Sequence, residues 1–156
     1  MVDMYSYAMD EYSGTLVGVF SGSDMTDEHY ERSLAVMNRA DLVANDHQHP
    51  FIYIVVVDRD VPRPPALWRK RFSDANYRVK SARFYFVMVT NSMLMRGVYT
   101  AVTWLTSKRD GQYYNVVGGI ADAQAWLRAH QVSCPDLERL EARARTALKG
   151  ANDARE

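Results

Sequence analysis

The segment Phe51–Val57, with the sequence FIYIVVV, constrains the fold of this chain more than any other. It is continuously apolar and lacks the alternation expected of a strand with one face in water. Such a run is typical of a strand buried on both faces at the centre of a parallel sheet. Prolines at positions 62, 64 and 65 then lead into a helix, whose first turn tolerates proline. The segment therefore predicts a sheet flanked by helices.

The rest of the chain continues this pattern. Further strands are predicted over residues 4–12, 15–20, 83–89 and 113–117. Helices are predicted from the loop at 21–24 to about residue 43, and then after Pro65, Ser92, Asp122 and Asp136. Strands 4–12 and 15–20 can pair as a hairpin around Gly14. Alternating strands and helices after that hairpin predict an α/β fold with a mostly parallel sheet of about five strands.

The composition limits the classes of partner. Lys plus Arg and Asp plus Glu each number 19, so the formal charge is zero, which argues against nucleic-acid binding through many phosphate contacts. Cys134 is the single cysteine, so neither an internal disulfide nor a cysteine metal cluster is expected. The N-terminal ten residues are acidic and resemble no signal peptide, and no apolar run is long enough for a membrane helix. We therefore expect a cytoplasmic protein with no membrane insertion and no cofactor.

The C-terminal part predicts a helix added to the α/β domain. Residues 1–132 form the expected domain, 133–150 a helical extension and 151–156 a frayed tail. The extension carries a narrow apolar stripe between charged residues: Leu137, Leu140, Ala144 and Leu148. Such a stripe suits docking on the domain or pairing with a second copy in a homodimer.

Three blocks carry a family resemblance: PFIYIVVVD, ARFYFVMVTNSMLMRGVYTAVTWL and GGIADAQAWLRAH. In this order they resemble the SpoIIAA-like, or STAS, superfamily of bacterial regulatory domains, over roughly residues 16–130. The resemblance implies a non-catalytic regulatory or scaffolding module that binds a protein partner. Members that antagonise anti-sigma factors carry a phosphorylatable serine just after the central strand. Residues 58–65 contain neither serine nor threonine, which puts a serine switch at this place in doubt.

The candidate binding site lies at the carboxyl ends of the strands, where open α/β sheets usually bind their ligands. The residues proposed to bind a partner or ligand there are Asp58, Arg59, Asp60, Arg63, Arg69, Asn91 and Arg96. The carboxylates would accept hydrogen bonds and the arginines would donate bidentate ones. Positive charge is concentrated over residues 63–83 and could meet an acidic partner or be a solvated helix face.

Other functions remain open at this level. The main alternative is a small-molecule or lipid carrier, as the lipid-carrier variant of the same fold suggests. Asp58 and Thr90 are arranged like the phospho-acceptor aspartate and the threonine of receiver domains. The acidic pair that binds magnesium and the lysine that stabilises the phosphoryl charge are not at the corresponding strand ends. His47 and His49 could bind a metal ion, although two histidines in a polar loop are more often solvated. An enzyme using Cys134 is the third alternative, without an evident base for the thiol.

Overall fold

The computed structural model describes residues 3–105 and 109–154, except for the side chains of residues 98 and 101–105. These parts of the chain contain five strands and five helices. The strands are β1 (Tyr5–Met9), β2 (Leu16–Phe20), β3 (Phe51–Val57), β4 (Phe84–Val89) and β5 (Gln112–Val117). The helices are α1 (Asp27–Asp46), α2 (Ala66–Tyr77), α3 (Met93–Leu105), α4 (Ile120–Ala129) and α5 (Leu137–Asp153). The predicted order of elements is confirmed.

The strands lie side by side in chain order, β1-β2-β3-β4-β5. β1 is antiparallel to β2, and every later pair is parallel. β3 is thus the central strand, and each of its residues is buried, as its continuous apolar sequence predicted. The β1–β2 connection places Gly14 at φ +74°, where a Cβ would lie 2.5 Å from the Ala40 carbonyl oxygen. Glycine is therefore required for this hairpin to pack against α1.

Helices cover both faces of the sheet. Because side chains alternate along a strand, Tyr53, Val55 and Val57 face α1, α2 and α3, whereas Ile52, Ile54 and Val56 face α4 and α5. We call these the aromatic face and the aliphatic face, after the side chains that β3 contributes to each: Phe51 and Tyr53 on the first, and Ile52, Ile54 and Val56 on the second. None of the helices in the described ranges is both long and apolar enough to cross a membrane.

Some boundaries differ from the predicted ones. β1 ends at Met9 rather than near residue 12, because the turn that starts at Asp10 closes the hairpin. α1 continues past residue 43 to Asp46 and ends where Gln48 adopts a left-handed φ of 54°. In α2, Leu67 is exposed, whereas the next residue, Trp68, is buried and donates its Nε1–H to Asp27 Oδ1 (2.7 Å).

α5 packs on the aliphatic face against β1 and β2. Its predicted stripe is buried there: Leu137, Leu140, Ala144 and Leu148. Asp136 caps the helix by accepting the Glu138 N–H (3.1 Å). The helix also extends beyond Gly150, because the Asn152 side chain accepts the Asp3 N–H (2.6 Å) and donates to its carbonyl (3.2 Å). The stripe therefore docks within the same chain.

Candidate functional site

Asp58, the first residue after β3, is engaged by the C-terminal helix. Arg145 on α5 donates two hydrogen bonds to its carboxylate, at 2.9 Å and 3.0 Å. This pairing lowers the pKa of Asp58 more than burial raises it, and a hydrogen bond from Ser21 lowers it further. The Asp58 carboxylate is thus held ionised and fastens α5 to the carboxyl edge of the sheet. The sequence did not suggest this contact, because 87 residues separate the two partners.

The other predicted residues lie around the same edge in different environments. Asp60 accepts the Gly22 N–H (3.2 Å), which ties the loop after β3 to the loop after β2. Arg59 and Arg63 are exposed, as are Asn91 and Arg96 beyond β4. Arg96 reaches the end of β5, since a Cβ on Gly118 would lie 3.3 Å from its Nη1. These residues therefore lie along the same edge of the sheet but do not form one compact site.

Arg69 differs from the others because it faces an internal cavity. This cavity has a volume of about 120 Å³, is partly open, and lies between the aromatic face and the helices α1, α2 and α3. The sheet contributes mainly large side chains to it: Phe20, Tyr53, Val55, Phe86, Met88 and Tyr114. The helices contribute the opposite wall: Tyr30, Leu34, Met37, Arg69, Phe72 and Tyr99.

The aromatic rows on the strands explain why a cavity forms here. The strand register places Tyr53 beside Phe86 and Phe86 beside Tyr114. The rings of both pairs meet edge to face, with centroids 5.5 Å and 5.9 Å apart. Rigid rings standing on a sheet cannot adjust their shape as methionine or leucine can. They therefore hold the helices apart and leave space between the rings.

The cavity is lined by few polar side chains, of which half are phenols: Tyr30, Tyr53, Tyr99 and Tyr114, with Ser33, Ser73, Asn76 and Arg69. Burial raises the pKa of Tyr99 to about 12, with a smaller effect of Tyr30 in the same direction, while Arg69 and Arg63 act in the opposite one. Burial likewise raises the pKa of Tyr114 to about 12, against the effect of Arg109. Both phenols therefore stay protonated at neutral pH, and the Tyr114 hydroxyl donates a hydrogen bond to Gln112 Oε1 (3.1 Å).

A second pair of phenols lies in the core beside the cavity. Tyr53 lines the cavity and neighbours Tyr5, whose ring covers Gly18. The Tyr5 hydroxyl is buried, and the Tyr53 side chain lies close enough to affect its ionisation. Burial raises the pKa of both phenols. This side of the cavity is therefore neutral at physiological pH.

The remaining candidates take part in local contacts. His47 stacks on Tyr12, and His49 Nδ1 lies 2.7 Å from the Pro50 carbonyl oxygen. Within residues 3–105 and 109–154, no group of three or more His, Cys, Asp or Glu side chains could hold a metal ion. Burial raises the pKa of the Cys134 thiol, which accepts a hydrogen bond from Gln124 (2.9 Å). A thiol with a raised pKa is a poor nucleophile at neutral pH.

Arg69 could be identified from the sequence, but the cavity that it faces could not. The available signal was the aromatic residues at alternate strand positions, Phe51 and Tyr53 in β3 and Phe84 and Phe86 in β4. These predict an aromatic layer on one face, although not the space between the rings. Comparison of the chain with protein-family models, with curated proteins and with solved structures finds no match.

Proposed function

We propose that this domain is a non-catalytic binding module that takes a small, largely apolar ligand into the cavity on its aromatic face. The observation that carries the proposal is the cavity itself. Protein cores contain few voids larger than a water molecule, whereas binding sites for small molecules are concave, mostly apolar spaces with a few polar groups. This cavity is partly open, and its lining is mainly apolar, with Arg69 as the one charged side chain among the described residues. A ligand that filled the space would restore the missing contacts.

The size of the cavity limits the ligand. An apolar cavity of about 150 Å³ holds a benzene ring, whereas pockets for drug-sized ligands reach about 300–1,000 Å³. The cavity of about 120 Å³ is therefore matched to a single ring or a short branched chain. A complete lipid would need more space than this. If the protein is a carrier, its ligands are therefore small molecules and not lipids.

Toluene is a suitable first probe. In a titration followed by NMR, bound toluene should shift the ring signals of three residues that line the cavity: Tyr53, Phe86 and Tyr114. Ser73→Leu places a larger side chain in the lining and should abolish these shifts, whereas Lys70→Leu adds the same side chain on an exposed part of α2. If toluene shifts none of these signals, or binds Ser73→Leu as well as the parent protein, the proposed ligand site is wrong.

A protein partner at the carboxyl edge is the second candidate function. Met93 and Leu94, in the first turn of α3, are 83% and 78% exposed, and Leu67 in the first turn of α2 is 59% exposed. Exposed apolar side chains that cluster beside charged ones mark many protein interfaces. Arg59, Arg63 and Asn91 lie exposed in the adjoining loops. We propose that a partner would bind this edge through these residues, as a regulatory or scaffolding contact.

This second function predicts a specific loss of binding. A partner retained by the parent protein in a native pull-down should be lost from the double variant Arg63→Ala, Leu94→Ser. Leu42→Ser, at an exposed leucine on α1, provides the control. If the double variant retains the partner as the control does, the placement at the carboxyl edge is wrong.

The STAS-like assignment and a cytoplasmic location belong to the same proposal. What supports the assignment is the order of elements, in which a hairpin precedes strands and helices that alternate along a mostly parallel sheet. We also propose a homodimer. The apolar stripe of α5 would not form its interface, because that stripe is buried against the sheet of the same chain. Sedimentation equilibrium would measure the oligomeric mass, and a monomeric mass would contradict the homodimer.

A further inference from the structure

We infer that the ligand of this cavity is a small aromatic acid, with its ring among the aromatic side chains and its carboxylate bound by Arg69. This inference rests on the proposed ligand-binding function and names the chemical class of the ligand. It depends on the charge of the cavity wall, the hydrogen-bonding capacity of Arg69 and the shape of the apolar part.

Arg69 is the one charged residue among the described residues that line the cavity. Its Nη1 donates to the Pro64 carbonyl at 2.6 Å, which fixes the guanidinium at the start of α2. A guanidinium has five N–H donors, and this is the single hydrogen bond that the described residues show for it. The remaining donors are available to a carboxylate, which guanidinium binds in bidentate geometry.

The surroundings of Arg69 also favour an anion. Arg63 and Arg69 both act electrostatically on Tyr99, so a second positive charge lies near this end of the cavity. Burial and the Asp27 carboxylate both raise the pKa of the lining residue Tyr30. The Asp27 Oδ1 already accepts the Trp68 Nε1–H (2.7 Å). A carboxylate bound at Arg69 would thus lie near two positive charges.

The apolar part of the cavity has the shape of a ring site. Tyr53, Phe86 and Tyr114 present edges and faces at right angles to one another. Edge-to-face contacts with an added ring are favourable by about 0.5–1.5 kcal/mol each beyond the burial of apolar area. The lining of α2 extends from Arg69 to Asn76, seven residues or about 10 Å along the helix. This length accommodates a ring below the guanidinium.

Three probes of similar size and different charge test the inference: benzoate, toluene and benzylamine. Binding to the full chain should be measured for each by NMR titration at neutral pH. We expect benzoate to bind at least about tenfold more tightly than toluene, since hydrogen bonds to charged groups contribute about 1.5–3 kcal/mol. Benzylamine should bind more weakly than toluene, because its ammonium group would face Arg69.

Variants at Arg69 test how much its charge contributes to binding, separately from the apolar part of the cavity. Arg69→Gln should weaken benzoate binding about ten- to a hundredfold and leave toluene binding within about twofold. Arg69→Lys keeps the charge without the bidentate geometry and should give an intermediate loss for benzoate. Lys70→Gln removes the neighbouring exposed charge on α2 and should change neither probe. Toluene binding by Arg69→Gln would also show that this variant is folded.

The outcomes distinguish the inference from the function on which it rests. If toluene binds and benzoate binds no more tightly, or if benzoate is unaffected by Arg69→Gln, the anionic ligand is wrong while the cavity remains a ligand site. If none of the three probes binds, the proposed ligand-binding function fails and the inference fails with it.

Discussion

The two faces of the sheet are both covered by helices, but they are filled by different side chains. On the aliphatic face, Ile52, Ile54 and Val87 pack under α4 and α5. Among the described strand residues, Tyr85 is the one ring buried on this face, where it lies edge to face with Trp126 (5.9 Å between centroids). On the aromatic face, rings such as Tyr53 and Phe86 stand under α1, α2 and α3, and the cavity lies between them.

The difference shows how side-chain type determines whether a covered face is filled. Small and β-branched residues allow a helix to approach the sheet closely, so neighbouring side chains interdigitate. Aromatic rings have a fixed shape and set a larger spacing. The aliphatic face should then be the more sensitive to added side-chain volume, and the aromatic face should be available for a ligand. The following predictions test this division, from the largest expected effect to the smallest.

Leu137→Ala should give the largest loss of stability. Leu137 is fully buried where α5 begins on the aliphatic face, and a truncation of this kind in a packed core costs about 2–5 kcal/mol. Urea denaturation would measure the free energy of unfolding. Leu67→Ala, at an exposed leucine, is the control and should change it by less than about 0.5 kcal/mol. Equal effects of the two substitutions would contradict the docking of α5 on this face.

Adding one methylene should affect the two faces differently. Val87→Ile on the aliphatic face should destabilise the protein by about 1–3 kcal/mol, because extra volume in a filled core causes strain. Val55→Ile faces the cavity and should be neutral or slightly stabilising. The two substitutions are chemically identical and lie on neighbouring strands. Comparable losses in urea denaturation would show that the cavity is not free space.

Removal of the Asp58–Arg145 pair should have the smallest effect. Both side chains are partly exposed, and such pairs contribute about 0.2–1 kcal/mol. Asp58→Asn should therefore lower the free energy of unfolding by up to about 1 kcal/mol at neutral pH.

The pH dependence of this difference follows from the lowered pKa of Asp58, whose ordinary value is 3.8. Because the folded state lowers the pKa, the stabilisation is fully present above 3.8 and is lost as the pH falls through the lower folded value. The parent protein and Asp58→Asn should thus converge in stability in acid. Arg143→Gln, at an exposed arginine on the same helix, is the control. A difference that persists unchanged in acid would contradict the role of the pair.

Much of the fold could be predicted from local sequence. FIYIVVV identified the central strand, Gly14 the hairpin, and the spacing of Leu137, Leu140 and Ala144 the buried side of α5. These features depend on the periodicity of apolar residues and on backbone conformation, both of which are readable over a few positions. Helix ends were less predictable, as α1 shows, because its last residues, Asn45 and Asp46, are exposed and the helix ends just before the left-handed backbone of Gln48.

The candidate site was predictable only in part. The carboxyl ends of the strands are determined by topology, so Asp58 and Asp60 could be placed at one edge from the sequence. Their partners could not, since Arg145 and Gly22 are far away in the chain and are brought close by the packing of α5 and the order of β2 and β3.

The sequence by itself determined the element order, the burial of β3 on both faces and the aromatic character of alternate strand positions. Tertiary structure alone decided that α5 docks on its own sheet, that Arg145 forms an ion pair with Asp58, and that Arg69 faces a cavity. The physical reason is that local periodicity specifies which side of an element is apolar. The distance between two packed layers depends instead on the shapes of side chains from several elements at once.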